Sequence, residues 1–166
     1  MGKPFSSQIS RVVSKINLAP GPLKSIGLTK TFGTIVKFVG TAGVKVESLD
    51  FDRAVMSIAN KKKVQNHIGG VHAAAMGLLA ETATGFVVGI NVPDDRVNVI
   101  KTLKVDYLKR AKGNLRAVAT LTPEQIESIR TTEKGEVSVA IEVTDEEGKQ
   151  PIAVEASWAW IPKKRK

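Results

Sequence analysis

Cysteine is absent from this chain, histidine occurs only at His67 and His72, and aromatic residues make up about 5% of the sequence. The first absence excludes a disulfide scaffold, a thiol nucleophile and any Cys-ligated zinc or iron–sulfur centre. Two histidines are too few for a His-rich metal site, so no metal is expected. The shortage of aromatics leaves little for nucleic-acid bases to stack on. No uninterrupted apolar run opens the chain, because Arg11 and Lys15 break the first one, so no secretory signal is read. Internal repeats are also missing. Acid is lacking altogether in residues 1–46, which hold seven Lys and Arg, and residues 163–166 add four more cations. The formal charge of +9 therefore sits at the two ends, and residues 47–162 sum to −2. The body is not a basic nucleic-acid-binding domain.

What is present suits one domain: 166 residues at 42% apolar content can bury a real core and are too few for two. Ile9, Val12, Val13 and Ile16 fall at helical spacing, which fits an amphipathic first helix or a transit peptide; the helix is preferred. Ala19-Pro20-Gly21-Pro22 breaks the chain, and Leu23 to Val39 reads as a second helix ending near Gly40 and Gly43. Residues 1–43 thus form a helical segment expected to pack on the body. From Val44 the pattern turns to β, with Val44–Asp50 and Arg53–Ala59 as a hairpin. Residues 60–69 are a polar loop, and Gly70 to about Gly89 is a helix that is apolar nearly all round. Four strands follow, near 96–108, 115–121, 136–143 and 152–160. Thr122-Pro123-Glu124-Gln125 carries the marks of a capping box and predicts a short helix between the second and third of these. The class is α+β: an antiparallel sheet wrapped around one central helix, over residues 44–162, with two helices before it and a basic tail, 163–166, after it.

Glu81 is the only formal charge between Ile68 and Val92. An ionised carboxylate on an apolar helix costs several kcal/mol unless it is paired or has a task. A functional role is the stronger reading, and a structurally hydrogen-bonded carboxylate is the bland one. The helix carries bulky Val71, Leu78, Leu79 and Phe86 on one side and small Ala73, Gly77, Ala80 and Thr84 on the other, which allows another backbone or a flat ligand to come close. A membrane span is excluded by Glu81 at its centre and by Gly70, Gly77 and Gly85.

The run Asn66-His67-Ile68-Gly69-Gly70-Val71-His72, continuing to Glu81, resembles the signature of hotdog-fold acyl-CoA thioesterases of the phenylacetate-pathway type. Asn66, Gly69, His72 and Glu81 stand at the spacings of that pattern. The N-terminal helices and Tyr107-Leu108-Lys109-Arg110-Ala111 are similar to an uncharacterised branch of the same superfamily. The resemblance implies thioester hydrolysis without a cofactor, coenzyme A being part of the substrate. The backbone N–H of Ala73 would hold the carbonyl oxygen, and Glu81 would activate water or attack directly. Asn66 would orient water or the thioester, and His72 would hold the loop or donate a hydrogen bond near it. Gly69 and Gly70 would shape the substrate loop. The chain departs from the pattern at Ala73-Ala74, where Gly-Gly is usual; each Ala keeps its N–H and adds a methyl, which narrows the pocket.

Coenzyme A carries phosphates, for which Lys109 and Arg110 are the leading counter-charges. Lys61-Lys62-Lys63 and Lys112 are further ones, and any of these lysines can equally be a solvated face. His67 reads as a loop surface residue. Residues 163–166 suit a solubilising tail, a nuclear-localisation signal or a membrane-surface patch. The location expected is cytoplasmic, with mitochondrial and nuclear alternatives. His72 and Glu81 are nine residues apart, on opposite sides of one helix and roughly 13 Å apart along it. A homodimer, possibly paired into a tetramer, is therefore expected, in which the helix start of one chain faces Glu81 of the other. The competing reading is a non-catalytic acyl-binding or assembly protein. A hotdog hydratase lacks its Asp–Asn–His cluster or His-Phe-Pro-Gly loop here.

Overall fold

The computed structural model describes residues 5–164. Three helices come first: α1 (Gln8–Asn17), α2 (Gly21–Ile35) and α3 (Lys37–Ala42). Ser7 caps α1 in a reciprocal box with Ser10, and Pro20-Gly21-Pro22 ends one helix and starts the next. The expectation of a single helix over Leu23–Val39 is corrected: the chain leaves helical geometry at Val36 and folds back as α3. Two glycines make this possible, since a Cβ added to Gly33 would lie 3.2 Å from the Cα of Gly40. Only backbones without side chains approach so closely.

Strands β1 (Val44–Leu49) and β2 (Arg53–Ile58) form the expected hairpin, and α4 (Ala73–Gly89) follows the loop. Then come β3 (Arg96–Tyr107), β4 (Leu115–Thr120), α5 (Pro123–Thr131), β5 (Gly135–Asp145) and β6 (Ile152–Pro162). Thr122 and Gln125 close the capping box of α5, with Pro123 at its first position. The six strands make one antiparallel sheet in the order β1-β2-β4-β5-β6-β3. It curves around α4, whose Leu79, Ala80, Ala83 and Val87 are fully buried against Val137, Val139, Ile152 and Trp158 and the rest of the core. This is the hotdog fold.

The two sheet edges differ. At β1 the unpaired backbone of Val46 is met by α2: its N–H donates to Thr29 Oγ1 at 2.9 Å and its carbonyl accepts from Ser25 Oγ at 2.8 Å. At the other edge no strand of the described residues pairs with the outer side of β3, and Val97, Val99, Ile100 and Leu103 remain partly exposed. An open twelve-residue edge strand with apolar side chains exposed among its charged ones is a template for pairing with another chain.

Candidate active site

Glu81 lies half-buried on α4 and has no ion pair among the described residues. Its one polar side-chain contact is Thr82 Oγ1 at 3.5 Å. Burial pushes its carboxyl above the usual carboxylate range, and the Thr82 hydroxyl offsets this only in part. The carboxylate borders a cavity of about 500 Å³. Its apolar lining includes Ile9 and Val12 of α1, Phe32 and Ile35 of α2, Phe86 of α4 and Trp158 of β6. The few polar groups there include Thr82 and Asn98. Phe32 and Phe86 stack with centroids 4.5 Å apart, joining α2 to α4. Gly85 is required by the same wall, because a Cβ there would lie 2.6 Å from the Trp158 ring. The Trp158 indole N–H donates to Thr84 Oγ1 at 3.0 Å.

A second cluster forms where the loop enters α4. Asn66 Oδ1 accepts the N–H groups of Ile68 and Gly70, both at 3.1 Å, and its amide nitrogen has no hydrogen-bond partner among the described residues. Gly69 takes φ +76°, a conformation that favours glycine. His72 is the N-cap: its Nδ1 accepts the N–H of Ala74 at 3.0 Å, which places the ring proton on Nε2. With Ala74 capped, the Ala73 N–H is the backbone donor left open at the helix start. Arg110 donates to the Ile68 carbonyl at 2.7 Å and braces the loop. Lys109 is exposed and makes no ion pair among the described residues, whereas Lys112 pairs with Glu147 at 2.7 Å and Lys63 is held by the Thr41 carbonyl.

Tyr107, which the spacing argument passed over, donates from its hydroxyl to the Ala73 carbonyl at 2.9 Å and ties the end of β3 to the start of α4. It is the single tyrosine of the chain. Asn98 and the α1 and α2 side chains were missed as well, because a cavity between segments distant in sequence leaves no periodic signal.

The structure gathers Asn66, Gly69, Gly70, His72, Ala73 and Arg110 at one end of α4 and leaves Glu81 about two turns away. The small-residue face needs correcting. Ala80 and Thr84 are fully buried toward the sheet, and the open stripe is instead Ala73, Gly77 and Glu81. Above Gly77 there is open space, with no atom within 4 Å of where a Cβ would stand. Leu79 is fully buried while Leu78 is only partly so, so the bulky residues do not share one face either. No described helix is long and apolar enough to cross a membrane.

Among solved structures, a Pseudomonas aeruginosa protein of unknown function, named a probable thioesterase, is 25% identical with a TM-score of 0.71, covering 79% of this chain and 91% of that one. A Haemophilus influenzae thioesterase is 15% identical with a TM-score of 0.64, covering 82% and 92%. A Chlorobaculum tepidum protein of unknown function is 14% identical with a TM-score of 0.69, covering 86% and 97%. No curated protein matches the sequence. The family model of a domain of unknown function, DUF4442, matches residues 27–161, and the chain belongs to that family.

Proposed function

We propose that this protein hydrolyses acyl-CoA thioesters, with Glu81 as the carboxylate that activates water or attacks the carbonyl. The observation that carries the reading is an unpaired, half-buried carboxylate of raised pKa on the wall of an apolar cavity. Desolvation makes such a group a stronger base than it is in water. An aliphatic acyl chain fits the Ile, Val, Phe and Trp lining, and the cavity is of ordinary ligand-binding size. In the water route Glu81 takes a proton from water as its oxygen adds to the thioester carbon. The oxyanion is held by a backbone N–H, the C–S bond then breaks, and the proton passes to the departing thiolate.

The N–H in question is that of Ala73 in a second copy of the chain. Within one chain Ala73 and Glu81 lie about 12 Å apart along the helix, too far to meet one carbonyl. Pairing of two β3 edges about a two-fold axis would set the α4 helices side by side, with the space above Gly77 admitting the partner. Lys109, and the donors of Arg110 not used on Ile68, are placed for the phosphates of coenzyme A.

A non-catalytic acyl-binding protein is the second reading, favoured by the methyl groups of Ala73 and Ala74 at the helix start. A thiol-release assay over an acyl-CoA panel separates the two. Release by the wild type that disappears in Glu81→Gln supports hydrolysis; saturable acyl-CoA binding with no thiol release from any substrate supports the binding protein.

A further inference from the structure

The most exposed large apolar side chains of the described residues are concentrated in one stretch. Leu18 is 87% exposed, Ile35 66%, Phe38 65%, Ile26 61% and Leu23 59%; elsewhere only Leu108 and Tyr107 exceed half exposure. Leu23, Ile26 and Lys30 follow helical spacing down the outer side of α2, while Leu28 and Phe32 on its other side are buried in the core. A helix that is apolar on both sides is normally covered on both, and the outer side of α2 is bare.

The charge carried by this layer itself has one sign. Residues 5–46 contain no acid, and Lys15, Lys24, Lys30 and Lys37 make no ion pair among the described residues. The fold also brings Lys163 to this layer. Lys163 donates through its backbone N–H to the Asp95 carbonyl and through Nζ to the Asp94 carbonyl, both at 2.8 Å. The Asp94 carboxylate in turn accepts the Gln8 N–H at the start of α1 and pairs with Arg11. Lys163 and Arg11, more than a hundred residues apart, therefore meet at Asp94.

We propose that the N-terminal helical layer docks on an anionic lipid bilayer. Leu18, Leu23, Ile26 and Phe38 enter the interfacial zone, and Lys15, Lys24, Lys30 and Lys37 lie against the headgroups. Exposed apolar groups set among unpaired lysines are the two components of peripheral membrane attachment. A second copy presenting the same face would bring like charge against like. The attachment is peripheral, since no described helix can span, and it does not depend on the chemistry performed at Glu81.

The test is flotation of the full chain with phosphatidylcholine vesicles and with vesicles that also contain phosphatidylglycerol. The protein should float with the second kind only, and recovery should fall at about 1 M salt, where charges are screened within about 3 Å. Replacing Leu23→Ser with Ile26→Ser, both solvent-facing, should lower the bound fraction at least about tenfold with the melting temperature unchanged. If that variant does not fold, Lys24→Glu with Lys30→Glu and Lys37→Glu should abolish flotation in its place. Equal recovery with neutral vesicles, no recovery with either kind, or full binding by the serine variant would overturn the proposal. So would a concentration-dependent rise in mass that the serine variant loses, because a second copy would then be the cover.

Discussion

Glu81 carries opposite consequences for stability and for activity. Its carboxyl is raised in the folded chain, so the folded state holds that proton more tightly than the unfolded one does. A group shifted in this direction weakens the fold once pH rises above its unfolded value, and costs nothing at pH low enough to protonate it in both states. Glu81→Gln should therefore melt at an equal or higher temperature than the wild type at neutral pH, with the difference closing as pH falls below the carboxylate range. Scanning calorimetry across pH reads this directly. Thiol release by the same variant should drop by about 10² to 10⁴-fold if the carboxylate moves a proton. A variant that melts well below the wild type at neutral pH would mark Glu81 as structural. Gly85 and Thr84 behave differently, since their partner is Trp158. Gly85→Ala forces the indole to move and should cost about 1–3 kcal/mol by overpacking. Thr84→Val strands a buried N–H and should cost about 1–3 kcal/mol. Glu81 was legible in the sequence because its charge is alone in an apolar run. The Trp158 contacts were not, because they join residues 73 and 74 positions apart.

The elements were read well where one pattern governs each of them. The capping box predicted α5, and alternation set Val137, Val139, Ile141 and Val143 of β5 on one face and Ile152, Val154, Ala156, Trp158 and Trp160 of β6 on another; all are buried except Ile141 and Val154, which are partly buried against the core. Reading failed where tertiary contact overrides a local pattern. Leu23 to Val39 is mostly apolar between its lysines and threonines, and nothing in its periodicity marks the fold-back at Val36, which depends on Gly33 meeting Gly40. The small residues of α4 were likewise assigned to one side by size, although Ala80 and Thr84 are small because the sheet lies against them and Gly77 is small with nothing of its own chain above it. Tyr107→Phe tests whether the tie between β3 and α4 serves the site: it removes one exposed hydrogen bond, at about 1 kcal/mol or less. Stability should scarcely change while kcat falls, as measured by paired melting and turnover assays.

For the whole molecule, the separation of the Ala73 helix start from Glu81 leads to a complementation experiment. Asn66→Ala and Glu81→Gln chains, each inactive alone, should regain activity when unfolded and refolded together. Half of the dimers would be mixed and each would hold one intact site, so recovery should approach about a quarter of the wild type. No recovery despite proven subunit exchange would remove the shared site. The contrast between the two sheet edges bears on what happens after such pairing. A sheet open at both sides can add copies without end, whereas here α2 lies along β1, with Ser25 and Thr29 taking up the outward backbone of Val46, and β3 is the edge left to recruit a neighbour among the described residues. Joining through β3 consumes the single adhesive margin of each copy, so growth terminates at the first step. In such a pairing the two hydroxyls on α2 would act as chain stoppers, closing one margin of the sheet at Val46.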